Sequence, residues 1–101
     1  MKVVITEVAL TNLEEALDLL KENFSEKSRL MLAAKVISST YKLAVYPEMG
    51  QIEPVLESLN LGHRRIIEGH FKIVYRINAS EETIYVTDIF DSRQDPKKVK
   101  H

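Results

Sequence analysis

The sequence predicts an α+β domain with the order β-α-α-β-β-β, in which an antiparallel sheet packs against an α-helical hairpin. Three observations lead there. Apolar residues recur at helical spacing through residues 12–44. From His63 onward the apolar period falls to two. A short β-branched run precedes both.

That run, Lys2–Thr6 (KVVIT), reads as the first strand. Thr11, with Glu14 three residues on, makes a capping box that predicts a helix over 12–23. Its apolar stripe is Leu13, Ala16, Leu17, Leu20 and Phe24. Ser25 caps a second helix, with a stripe of Leu30, Ala33, Ala34, Ile37, Tyr41 and Ala44, widened by Leu32, Val36 and Leu43. About two residues separate the helices, which predicts an antiparallel hairpin. Pro47 and Gly50 end the second helix. A short helical turn around Val55–Leu59, closed by Gly62, follows.

His63–Gly69 (HRRIIEG) reads as a short strand and His70–Ile77 (HFKIVYRI) as a longer one, with Gly69 at the turn between them. Alternation sends Phe71, Ile73, Tyr75 and Ile77 one way, and His70, Lys72, Val74 and Arg76 the other. The polar loop NASEET leads to a last strand, Ile84–Phe90. The three strands form a meander, the helices cover one of its faces, the other stays accessible, and the first strand takes an edge. The tail Asp95–His101 either adds a helical turn or frays.

A length of 101 residues fits one domain, taken here as 1–101. Apolar residues at 45% and charged residues at 29% suit a folded soluble protein. With no cysteine there is neither a disulfide nor a thiolate metal site. Three widely spaced histidines suggest no metal, and three glycines supply no phosphate loop, so no cofactor is expected. No run is apolar enough for a membrane span or a secretory leader, which makes the cytoplasm the expected location.

The net charge of −1 argues against a dedicated nucleic-acid binder. The distribution of charge is more informative than the total. Residues 1–62 carry six Lys/Arg against nine Asp/Glu, whereas residues 63–80 carry Arg64, Arg65, Lys72 and Arg76 against Glu68 alone. A further cation, Arg93, ends the last strand within DIFDSRQDP (Asp88–Pro96). It reads either as a cation presented to a partner next to Arg65 and Lys72, or as one half of a salt bridge to Asp91 or Asp95.

The order of these elements, with Arg65 in the first meander strand, FKIVYRI (Phe71–Ile77) and the DIFDSRQDP ending, resembles the RelE/ParE superfamily of bacterial toxins over essentially the whole chain. The resemblance implies a type II toxin–antitoxin (plasmid stabilisation) module. RelE-like members cut messenger RNA on the ribosome, and ParE-like members inhibit DNA gyrase without cleaving RNA. Transferred residue by residue, the RelE-like branch implies catalytic cations at Arg65, Lys72 and Arg93. It also expects a second basic residue where Ile67 stands, an aromatic near Val99 and, in some branches, a histidine near Asp91.

Remaining proton-transfer candidates are His63, His70 and Glu68, which read as solvated or ion-paired residues. Low total charge also disfavours a ribosome partner. The resemblance therefore favours a ParE-like, non-enzymatic inhibitor, whose target-binding surface is Arg64, Arg65, Lys72, Arg76 and Arg93. It further implies a cognate antitoxin docking on Leu30, Ala34, Ile37 and Tyr41, in a dimer or higher assembly. A ribosome-dependent messenger endoribonuclease and an inactive, antitoxin-binding remnant stay open as alternatives.

Overall fold

The computed structural model describes residues 1–94; the expectations for Asp95, Val99 and the rest of the tail lie outside the described residues. Strand β1 (Lys2–Ile5) passes directly into helix α1 (Glu7–Asp18). The cap is Thr6, not Thr11. Its Oγ1 accepts from the Ala9 amide at 3.2 Å and donates to the Val86 carbonyl at 2.9 Å. One hydroxyl thus satisfies a helix end and a strand end together, which an exposed Thr11 cannot do. The helix consequently begins at residue 7 rather than 12 and ends at 18 rather than 23. Ala9, Leu13 and Ala16 form its buried stripe, while Phe24 is exposed.

Helix α2 (Glu26–Tyr41) begins as expected, with Ser25 Oγ accepting from the Ser28 amide at 3.1 Å. Residues 19–25 connect it to α1, a longer link than the two residues expected. Its buried face differs from the expected stripe. Val36, Ser39 and Thr40 are buried, and so is Leu43 in the 3-10 turn Lys42–Ala44 that follows; Leu30, Ala34 and Tyr41 are exposed. The helix carries two apolar stripes, and the one bearing small hydroxyls lies inward. Those hydroxyls are satisfied there: Thr40 Oγ1 donates to the Ile37 carbonyl, and Ser39 Oγ donates to Glu68 Oε1 at 2.5 Å.

Strands β3 (Arg64–Glu68), β4 (Phe71–Asn78) and β5 (Thr83–Asp91) form the expected antiparallel meander, with Gly69 at φ +60 in the first turn. Two features go beyond the prediction. The two-residue strand β2 (Gln51–Ile52) pairs antiparallel with Arg64 and Arg65, and β1 pairs parallel with β5, so the sheet is mixed, in the order β1-β5-β4-β3-β2. The parallel pairing follows from Thr6. Its amide donates to Val86 O, which turns the chain onto the far half of β5, where α1 makes its main packing. Between Val86 (opposite Tyr75) and Asp88 (opposite Val74), Thr87 is an extra residue, a β-bulge.

The main core lies between helices and sheet and includes Leu13, Val36, Phe71, Ile73, Tyr75 and Ile89. Each such side chain contributes about 1.5–3 kcal/mol by burial. Tyr75 also organises the β2 edge: its hydroxyl donates to Pro47 O at 2.8 Å and accepts from the Gly50 amide at 2.9 Å. A Cβ on Gly50 would meet Arg65 O at 2.6 Å and the Tyr75 hydroxyl at 2.7 Å, so this approach requires glycine.

The opposite face, which the sequence predicts to be accessible, is only partly open. The 3-10 segment Pro54–Leu59, the predicted helical turn, lies across part of it, and Leu56, Val74 and Phe90 make a second, small core there. No helix among the described residues is long and apolar enough to cross a membrane.

Candidate functional site

Alternation along β3 sends the neighbours Arg64 and Arg65 to opposite faces. Arg64, opposite the core residue Tyr75, donates to Gly50 O at 2.8 Å and Glu48 O at 3.5 Å. Arg65 lies on the outer face and donates to Ile52 O at 2.6 Å and Gln51 Oε1 at 3.3 Å. Both arginines tie β3 to the segment leading into Glu53.

On the outer face Arg65 and Lys72 do converge, and what they converge on is Glu53. This carboxylate is completely buried, with Lys72 Nζ 3.0 Å and Arg65 Nε 3.9 Å from its Oε2. The Lys72 contact is an ion pair off the hydrogen-bonding direction, because Oε2 has no hydrogen-bond partner among the described residues. Oε1 accepts from the Val55 amide and so caps the 3-10 segment. Lys72 also lies over the Phe90 ring, 5.7 Å from its centroid. Arg76 shares this outer face further along β4 and stacks on Tyr85 at 4.9 Å.

Arg93 does not join them. Asp91 is paired with the core residue Phe71, which puts it on the helix-covered side, and there it is almost fully buried. The Arg93 guanidinium grips it at 3.0 Å from Nε and 2.7 Å from Nη2, and the Arg93 amide adds a third bond at 2.9 Å. That hydrogen bond from the Arg93 guanidinium holds the Asp91 carboxyl below its ordinary range against the opposing effect of burial, and Asp91 raises Arg93 in return. Of the two readings of Arg93, the salt bridge to Asp91 is the one formed. The expected meeting of Arg65, Lys72 and Arg93 on one patch thus holds for two of the three.

The proton-transfer candidates are dispersed. His63 is buried rather than solvated, and its carbonyl accepts from the Glu53 amide. His70 is exposed in the β3–β4 turn. Glu68 is tied to the Ser39 hydroxyl of α2 instead of to a cation, and Ile67 is exposed. Among the described residues no group of three or more His, Asp and Glu is arranged to hold a metal ion.

The second region is the outward face of α2. Leu30, Ala34 and Tyr41 are exposed along it, joined by Met31, while Ile37 is half-buried at its margin. Two adjoining depressions share Leu30 and Glu26, one running over Met31 and Ala34 and the other toward Leu17 and Ala33 of the helix pair. Tyr46 and Met49 continue the exposed apolar surface beyond the helix.

Sequence reasoning missed Glu53. It sits in the loop phrase IEP, twelve residues from Arg65 and nineteen from Lys72. The available signal was Pro54 immediately after it, which marks Glu53 as a potential cap of the turn that was predicted.

The family described as "ParE toxin of type II toxin-antitoxin system, parDE" matches residues 3–96. No curated protein matches the chain significantly.

Proposed function

We propose, from the premise that this chain belongs to the ParE toxin family, that it is a single-domain inhibitor that arrests growth by binding DNA gyrase and is silenced by an antitoxin docked on the outward face of α2. As a member of this family the chain is a toxin of a type II toxin–antitoxin module and has a cognate antitoxin. The target, the docking face and the cytoplasm as the site of action are the proposal.

One observation favours inhibition over RNA cleavage: the cations are engaged internally. A ribonuclease using the 2′-OH needs a base, an acid and free cations around one phosphate. Here Arg65 and Lys72 face Glu53, and Arg93 grips Asp91 on the other side of the sheet. An inhibitor needs only surface shape and charge. Arg76 on Tyr85 and the half-exposed Arg93 supply charge without being free of partners.

Expression without the antitoxin tests the target. Growth arrest with intact messages, and loss of supercoiling by purified gyrase on adding the chain, are the expected results. Messages cut at codon positions, with cutting lost in Arg65→Ala, would overturn the reading. Harmless expression with antitoxin binding retained would identify a remnant. The docking face has its own test. Leu30→Asp should weaken antitoxin binding at least about thirtyfold, the scale of a buried interface anchor. Because Leu30 is 63% exposed, folding stability should change by less than about 0.5 kcal/mol.

A further inference from the structure

We propose that the loop of residues 45–49, which follows the 3-10 turn Lys42–Ala44, is a surface through which two copies of this chain associate. The loop is fastened from beneath by its backbone. Tyr75 Oη donates to Pro47 O at 2.8 Å and accepts from Gly50 N at 2.9 Å. Arg64 Nη1 donates to Gly50 O at 2.8 Å and to Glu48 O at 3.5 Å. Tyr46 N donates to Lys42 O at 3.0 Å and Met49 N to Tyr46 O at 3.2 Å. The side chains of this loop do the opposite of anchoring it: Val45, Tyr46 and Met49 are 70%, 65% and 50% exposed.

A held backbone under outward apolar side chains is a pre-organised contact. The loop has little left to order when a partner covers it, so the burial of these side chains is not spent on ordering the chain. Tyrosine and methionine are also the residue types that interfaces favour over the rest of a surface. Tyr46 is the natural anchor, being a large exposed ring on a fixed backbone.

Charge names the second copy as the occupant. Lys42, just before the loop, and Glu48, within it, are both exposed, and neither forms an ion pair among the described residues. A partner surface of one sign would satisfy one of them and repel the other. A two-fold axis instead sets Lys42 of each copy against Glu48 of the other, so one complementary pairing is made twice. Shape is self-complementary as well. Val45, Tyr46, Pro47, Glu48 and Met49 line a shallow hollow of about 380 Å³, so the loop offers both a ring to insert and a place to receive one. The net charge of −1 leaves little repulsion between copies. The apolar area is small, which makes the association weak and concentration-dependent rather than permanent. Leu30 and Ala34 of α2 stay outside it.

The test is sedimentation velocity of the full-length chain, with circular dichroism to verify the fold of each variant. The unchanged chain should pass from monomer to dimer as its concentration rises from about 1 μM to about 200 μM. Tyr46→Asp should raise the dissociation constant at least about thirtyfold. If Tyr46→Asp does not fold, Met49→Glu reads out the same face. Lys42→Glu and Glu48→Lys should each weaken the dimer several-fold, and the two together should restore it, because the pairing is then made with its signs exchanged. Leu30→Asp should leave it unchanged. A chain that stays monomeric throughout the range overturns the proposal, as does a dimer indifferent to Tyr46→Asp and Met49→Glu. Failure of the exchanged pair to restore association would remove the two-fold pairing, and equal weakening by Leu30→Asp would move the contact to α2; either result refutes this surface. The inference does not rest on gyrase as the target or on the antitoxin, because self-association alone reads it out.

Discussion

Asp91 and Glu53 are carboxylates buried against cations, and they are held in opposite ways. Asp91 is gripped from two residues away by one arginine, through two guanidinium bonds and one amide bond. Glu53 is met from β3 and β4 by two cations, one at 3.0 Å and one at 3.9 Å, with one oxygen left without a hydrogen bond among the described residues. The first is a local clasp between residues two apart at the end of a strand. The second is a tertiary junction: it fastens the 3-10 segment to the sheet, and through that segment the small core of Leu56, Val74 and Phe90. An intact buried ion pair adds little net stability, but removing one partner is costly because the other charge is left uncompensated. The two sites should therefore respond very differently to deletion.

Glu53→Ala should give the largest effect. It strands Arg65 and Lys72, whose side chains are about a quarter exposed, at 24% and 21%, and it removes the cap of the covering segment. A loss of about 2–3 kcal/mol is expected, below the usual range for deeply buried pairs because water reaches both cations. Urea unfolding checks it. A loss no greater than that of Arg93→Ala would erase the distinction between junction and clasp.

Tyr75→Phe should come next. It leaves the junction intact but loosens the edge on which Arg64 and Arg65 hold the chain, because Gly50 N loses an acceptor and Pro47 O a donor. About 1–2 kcal/mol is expected from two polar groups left unmatched. If the effect matched that of Glu53→Ala, the β2 edge rather than the carboxylate would be the main fastening.

The same contrast explains what the sequence made legible. The Asp91–Arg93 clasp was readable because its partners lie within a single turn of chain. The meander, the start of α2 at Ser25 and the helical turn at Val55–Leu59 were readable because period, cap and turn signals are local. Glu53 was not, since its role depends on β3 and β4 being in register, and no spacing rule reports that. The start of α1 was misplaced for a related reason. Thr11 had the better local motif, but Thr6 had a tertiary partner, Val86 O. On α2 both stripes were visible as apolar positions. The one that faces the sheet bears Ser39, whose hydroxyl meets Glu68 on β3, a tertiary acceptor that helical spacing does not report. The convergence of Arg65 with Lys72 was expected from the family resemblance, whereas Arg93 went to the other face because the added Thr87 and the pairing of Asp91 with Phe71 fix where β5 ends.

The smallest effect belongs to Arg93→Ala, and its dependence on pH sharpens the comparison. Arg93 is 45% exposed, and its backbone amide still donates to Asp91 after truncation, so the buried carboxylate keeps one partner and the loss should be smaller than for Tyr75→Phe. The sign follows from Asp91. Its carboxyl is held below its ordinary range in the folded chain, chiefly by the Arg93 guanidinium, so the unfolded chain takes up the proton first as pH falls. The stabilisation is complete above the unfolded carboxyl value of about 4 and is lost as pH drops through the lower folded value. The difference between the unchanged chain and Arg93→Ala should therefore stay flat from about pH 7 to about pH 5 and shrink below about pH 4. It should also diminish with added salt. Chemical denaturation across that range measures both trends. A difference that persists undiminished in acid would mean that Arg93 acts through packing rather than through charge, and the clasp would then be ionic only in its geometry.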